Sequence, residues 1–410
     1  MRSRLLVVLA GLSAAGAMGQ GVADAYTLVE LPGLSGAIMS SASALNNTGM
    51  VVGTSDDGAN ATAVYWDAAG SPTAFTLAPW TTSRGIDIND EGSALVTVWD
   101  QAQTAQKIVL AHDGVHLSLP SPANTNVYLV GDSISARGEV AGAGFWQDPK
   151  DPEYGMFVAV RWARTPGGME TTLHSGNDTE SFITPHMTDS GLVVVGGTDG
   201  GGADAHFFDP RTGLRGYGGL GDYVEVFDVT DTKAYLSVEY SGSSGAPGKP
   251  FVHELGGAIR YLQAINCDDP DTGCNWYYYD LDITDHLPIR PAALNDAKTV
   301  VGDADVVLLD ANGQAYDKQA KRAAFVWSAE RGTLRLSDLI VDGSDMGWHL
   351  TAATDINELG WIVGNGEKDG QDRAFLLVPS DFCAGDVNRD GEVSPTDFTA
   401  WINAFNSGCD

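Results

Sequence analysis

One hairpin recurs seven times along this 410-residue chain, and it decides what the chain can fold into. "ALNNTGMVVGTS" at 44–55 returns as "IDINDEGSALVTV" from Ile86 and "SISARGEVAGAG" from Ser133. It returns again as "HMTDSGLVVVGGT" from His186, "DVTDTKAYLSVEY" from Asp228, "ALNDAKTVVGDA" from Ala293 and "DINELGWIVGNG" from Asp355. The aligned apolar positions are Leu45, Ile88, Ile134, Met187, Val229, Leu294 and Ile356, spaced by 43, 46, 53, 42, 65 and 62 residues. A unit this small cannot bury its apolar face alone, so repeats at such a period stack on one another.

Each copy reads apolar, polar turn, then alternating apolar. Asn46 opens its turn because its side chain can bond the backbone two residues on. Gly49 closes it because that position takes a positive φ. Gly92, Gly138, Gly191 and Gly360 fill the same slot, whereas Lys233 and Lys298 hold it in two copies. Those two turns must carry strain or change type.

A short strand with an aromatic follows the hairpin, as in "AVYW" to Trp66, "VAVRW" to Trp162, "AHFF" to Phe208 and "AAFVW" to Trp327. A fourth strand is expected in "AFTLAPW" (74–80), "METTLH" (169–174) and "LRLSDLI" (334–340). Four short strands in roughly fifty residues describe the blade of a β-propeller, here with seven blades. The last copy lacks its fourth strand after "RAFLLVP" (373–379), and "YTLVELP" (26–32) precedes the first hairpin. The N-terminal strand is therefore expected to complete the seventh blade and close the ring, which removes free sheet edges. An open β-solenoid or a pair of β-sandwiches is the alternative fold. The pattern A-[IL]-N-x-x-G-x-V-V-G followed by A-F-x-W resembles the HAF repeat of bacterial extracellular proteins over residues 26–380. That resemblance implies a repeat fold and no mechanism.

The chain opens "MRSRLLVVLAGLSAAGAMG", with Arg2 and Arg4 before a short apolar run and small residues ending at Ala17, Gly19 or Ala25. This reads as a secretory signal peptide within 1–25. No later stretch is long and apolar enough for a transmembrane helix. The expected product is secreted, extracellular or associated with the cell surface. A net charge of −31 disfavours nucleic acid and anionic lipid as partners and concentrates cations.

The last thirty residues, 381–410, carry a different signal. In "DVNRDGEVSPTD", Asp386, Asn388 and Asp390 supply oxygens at loop positions 1, 3 and 5. Gly391 permits the turn, Glu392 offers its carbonyl, Ser394 acts directly or through water, and Asp397 ends the loop. The spacing resembles a calcium-binding loop of EF-hand type, and calcium is the expected cofactor. Ser394 and Pro395 then start a helix whose apolar stripe is Phe398, Trp401, Ile402 and Phe405.

Four cysteines allow three pairings. The simplest is local, Cys383 with Cys409 around the calcium loop and Cys267 with Cys274 around "NCDDPDTGC". The cysteine-bracketed single loop, with Asp rather than Glu at its last position, resembles a GC-type dockerin. That resemblance implies a C-terminal anchor on an exported protein, with a cell-envelope or cohesin-like protein as partner. The single loop departs from the two-repeat dockerin of cohesin-binding proteins.

No nucleophile elbow, zinc-protease motif or phosphate-binding loop is present. Trp276, Tyr277, Tyr278 and Tyr279 beside the acidic loop suit sugar stacking and form a possible ligand-binding loop. Another insertion is "WQDPKDPEYGMF" at 146–157. The expected function is a non-catalytic propeller, anchored through its calcium tail, that binds a glycan or a protein. The alternative is a glycoside hydrolase of a polysaccharide-degrading system.

Overall fold

The structure is a computed structural model. It describes residues 21–380 except 103–104, 122–124, 148–149, 151–154, 166–167, 175–180, 200–201, 210–212, 218–222, 241–248, 255–256, 263–288 and 307–320. The described strands form seven four-stranded antiparallel sheets arranged as an all-β propeller. Six sheets are built from four consecutive strands. The seventh pairs Trp348–Ile356, Ile362–Lys368 and Gln371–Pro379 with the N-terminal strand Tyr26–Leu31. Its register runs from Tyr26 opposite Pro379 to Leu31 opposite Ala374. The closure expected from residues 26–32 is thus met, and Tyr26 and Leu31 are fully buried by it.

The first strand of each sheet lies innermost: Met39–Leu45, Thr82–Ile88, Thr125–Ile134, Ser181–Met187, Tyr223–Val229, Ile289–Leu294 and Trp348–Ile356. Each of these packs against the first strand of the next sheet, and the last packs against the first. Apolar clusters fill the spaces between sheets. One joins Leu45, Val51 and Trp66 of the first sheet to Val363 and Leu376 of the last. Fully buried Trp66 and Trp162 serve as wedges, and each indole donates to a loop carbonyl of the preceding sheet, of Pro32 and Pro120, at 2.8 Å. A buried indole N–H needs such a partner.

The hairpin turns follow from their residues. Asn46 Oδ1 accepts the amides of Thr48 and Met50 at 3.1 and 3.0 Å, and Gly49 takes φ 81°. Asn357 does the same for Leu359 and Trp361. Lys233 and Lys298 keep the turn type and accept the strain, at φ 65° and 62°. Their amides still bond Thr230 and Asn295 as Gly49 bonds Asn46.

Every innermost strand carries a register shift just before its apolar anchor residue. Such a bulge sharpens twist and leaves backbone unpaired. It also explains the glycine of the "VVG" motif. A Cβ on Gly53 or Gly364 would meet the carbonyl oxygen of Ser41 or Ala352 at 2.1 or 2.2 Å. In the second sheet Val96 stands at that position, and the residue paired with it is Gly85.

Two expected outer strands are shorter than their sequence suggests. In the first sheet the strand is Pro72–Ala74, and the ladder ends with the Phe75 amide on the Ala63 carbonyl at 2.8 Å, where Phe75 packs with Val98 and Val109. In the sixth, Gly332–Arg335 pairs and Leu336–Leu339 forms a 3₁₀ turn that buries Leu336 and Leu339 over Tyr26. This turn is the one helical element among the described residues, none of which forms a helix able to cross a membrane.

Candidate functional site

The residue after each apolar anchor forms a belt that binds the sheets together. Asn46 Nδ2 donates to the Asn89 carbonyl at 2.9 Å, and Asn89 Nδ2 donates to that of Ser135 at 2.9 Å. Asn295 Nδ2 reaches Asn357, and Asn357 Nδ2 returns to Asn46 at 3.0 Å. Asparagine does two jobs here, since its oxygen holds its own turn while its nitrogen holds the next sheet. Ser135, Thr188 and Thr230 occupy the position elsewhere and hold their own turns through a hydroxyl.

In four copies the residue before the anchor works in the same direction. Asp87 accepts its neighbour Ile88 N at 2.7 Å and Ile134 N of the next sheet at 2.8 Å. Asp228 holds Val229 N and Leu294 N, and Asp355 holds Ile356 N and Leu45 N, with equivalent geometry. Ser133 Oγ accepts Met187 N at 2.8 Å. These latches answer the unpaired backbone at each bulge.

Desolvation raises the carboxyl of Asp87 to about 6 and that of Asp355 to about 7, against the lowering effect of their amide partners. Asp228 is pushed well up for the same reason. All three keep partial contact with solvent, which screens some of that penalty. Beside them the Asp132 carboxylate stands 3.1 Å from His186 Nδ1, between the third and fourth sheets.

One residue beyond the belt, the hairpins place Asn47, Asp90, Asp189, Asp231, Asp296 and Glu358 at one mouth of the ring. Here the bonds run backwards around the ring. Asp90 accepts Asn47 N at 2.7 Å and Asn47 Nδ2 at 2.9 Å, and Asn47 Oδ1 accepts Glu358 N at 2.9 Å. Glu358 accepts Asp296 N, Asp296 accepts Thr232 N, and Asp231 accepts Ser190 N.

Each carboxylate is therefore drawn toward its neighbours, and repulsion accumulates. Desolvation, then Asp296, Asp189 and Asp231, raises Glu358 to about 8. Desolvation, then Asp90, Asp231, Asp87 and Asp296, raises Asp189 to about 7, although its side chain remains open to screening water. Ala136 breaks the rim at the third sheet. Among the described residues no group of these side chains is arranged to hold a metal ion. The rim can accept hydrogen bonds from hydroxyl and ammonium groups.

The rim was hidden in the aligned column N-D-A-D-D-D-E of the repeats. Carboxylates are so numerous in this chain that only the alignment, read by column, could have separated these from the rest. The calcium set Asp386, Asn388, Asp390, Glu392, Ser394 and Asp397 lies outside the described residues. So do the four cysteines Cys267, Cys274, Cys383 and Cys409, and the aromatic run Trp276 to Tyr279.

No known family model matches the chain, and no curated protein matches it by sequence. Among solved structures it is similar to a puromycin-hydrolysing peptidase of Mycobacterium tuberculosis, at 11% identity and a TM-score of 0.51. The match covers 88% of this chain but 55% of the peptidase, so the chain spans about half of that protein's length. Virginiamycin B lyase from Staphylococcus aureus, in a catalytically inactive form with quinupristin, matches at 11% identity and a TM-score of 0.47, over 86% of this chain and 99% of the lyase. YCF48 bound to a D1 peptide matches at 9% identity and 0.47, over 86% and 95%. The peptidase likeness shows the fold alone.

Proposed function

We propose that this chain is an exported, seven-bladed binding propeller, each sheet being one blade, held at the cell exterior by its calcium-binding, dockerin-like tail. Its ligand is a glycan or a protein taken at the acidic mouth. One observation carries the binding reading: side chains from six hairpins, spread over 311 positions of sequence, stand together on a single rim. A carboxylate rim attracts sugar hydroxyls and basic side chains and repels phosphates.

Glycan arrays and arrays of basic peptides, probed with the purified chain, test this reading. Binding that falls at least about tenfold in an Asp189→Asn, Asp231→Asn double variant supports it, as does weakening by salt. Binding indifferent to both changes, or no binding on either array, overturns the mouth as the site.

The anchoring part rests on the unbroken ligand spacing from Asp386 to Asp397. Removing 381–410, or chelating calcium, is expected to release the protein from the cell fraction into the medium. Retention under both treatments overturns the anchor.

A glycoside hydrolase is the second reading. In its favour, a carboxyl raised as far as Glu358 stays protonated near neutral pH, which a general acid requires. Reducing sugar released from a polysaccharide by the chain, and not by Glu358→Gln, would establish it instead.

A further inference from the structure

The hydroxyl of Thr27 on the N-terminal strand joins two distant parts of the chain. It donates to Asp342 Oδ2 at 2.8 Å and lies 3.4 Å from Ser380 Oγ. Ser380 is the last described residue, and its amide donates to the Ala25 carbonyl at 2.9 Å. The C-terminal segment therefore leaves the ring beside the loop that contains Asp342.

That loop, 341–347, clamps the N-terminal strand. Ile340 bridges Tyr26, Ser344 Oγ accepts Leu28 N at 2.8 Å, and Asp342 caps Ser344. Asp342 and Ser344 are thus engaged with the strand. Its apolar side chains stand in solvent, with Val341 and Met346 73% and 83% exposed. These are the two most exposed large hydrophobic residues among those described. Isolated exposed apolar side chains need no explanation, but two on one short, tied loop leave a surface worth covering.

We infer that the apolar stripe Phe398, Trp401, Ile402 and Phe405 of the C-terminal segment seats on Val341 and Met346, docking the tail on the clamp of the N-terminal strand. The inference rests on the dockerin-like tail of the proposed function and on the amphipathic helix that its sequence predicts. Two observations select this occupant over a second copy or another protein. The segment departs from Ser380, within one side chain of the clamp, and eighteen positions separate Ser380 from Phe398, ample chain to return. A unit of about thirty residues also buries little apolar surface internally, so even with a metal and a disulfide a neighbouring surface for its stripe stabilises it. Docked there, the tail would cover the seam at which the ring closes, and its calcium loop would remain free for a partner.

Hydrogen–deuterium exchange on the full chain with calcium tests this. In a Trp401→Glu, Phe405→Glu variant, amides 341–347 should exchange at least about tenfold faster, with the innermost strands unchanged. In Val341→Asp, Met346→Asp, residues 398–405 should lose protection in turn. If exchange at 341–347 is unaffected by the first variant, or exchange at 398–405 by the second, the docking is wrong. Protection of 341–347 that depends on protein concentration would assign the surface to a second copy and also overturn it. Calcium titration of the same samples separates the readings. Absent calcium binding with the exchange shifts intact leaves the docking in place and removes the calcium reading.

Discussion

Asp355 Oδ2 accepts the backbone amide of Leu45 at 2.8 Å, joining the last sheet to the first across 310 positions of sequence. The same carboxyl group accepts Ile356 N through its other oxygen. Asp355→Ala leaves two amides without that partner, and an unsatisfied buried amide costs about 1–3 kcal/mol. Chemical denaturation is expected to show a loss of that size. Asp338→Ala, at an exposed position, is the control and should stay within about 0.5 kcal/mol of the parent. A loss no larger at Asp355 than at Asp338 would remove the latch from the account of ring closure.

Stability is expected to fall as pH rises from about 5 to 8.5. Asp87, Asp355, Asp189 and Glu358 are raised to about 6, 7, 7 and 8 in the folded chain. A raised group binds its proton more tightly when folded. Its contribution is complete below the unfolded value near 4 and is lost as pH climbs through the folded value. Screening at the open mouth reduces the effect, so a net change on the order of 1–3 kcal/mol is expected. Urea midpoints across this range measure it, and a midpoint that climbs with pH contradicts the assignment.

Two substitutions to and from glycine should move stability in opposite directions. Gly53→Ala puts a methyl 2.1 Å from the Ser41 carbonyl oxygen, forcing backbone to shift, and should cost about 2–3 kcal/mol. Lys233→Gly relieves a left-handed φ of 65° and should stabilise by about 0.5–1 kcal/mol. Thermal unfolding of both variants gives the two signs directly.

If the chain is exported as proposed, its mature N-terminus is expected at or before Val22. Arg331 Nη1 donates to the carbonyls of Val22 and Ala23 at 3.2 and 2.9 Å, and Ala23 is buried. Cleavage after Ala17 or Gly19 keeps these contacts, whereas cleavage after Ala25 discards them. Intact mass of the secreted protein decides, and a chain that starts at Tyr26 would show that the contacts are dispensable.

Much of the fold was legible in the repeat. Asn46 and Gly49 specify a turn through their own side chain and backbone, so the hairpin could be read within four residues. The missing strand after Pro379 and the orphan strand at Tyr26 pointed to each other, because a sheet edge left open is a liability. Lys233 and Lys298 could be read locally as carrying strain or changing the turn type, and the structure decides for strain. The ends of the outer strands were not legible. Past Phe75 and Leu336 the chain leaves its ladder, because an adjacent sheet offers each side chain a buried place lined by residues of other repeats.

The candidate site divides along the same line. Residue type at each repeat position is written in the chain, so an acidic or amide side chain after the turn-opening residue could be read in most copies without any coordinates. Its neighbours could not. The closed ring alone brings Asp90, Asp189, Asp231, Asp296 and Glu358 onto one rim, and it alone commits Asp87, Asp228 and Asp355 to holding neighbouring sheets. A carboxylate's role depends on which amides and which other charges stand within a few ångströms. In a closed ring those neighbours come from the next repeat, about forty or more residues away in the sequence.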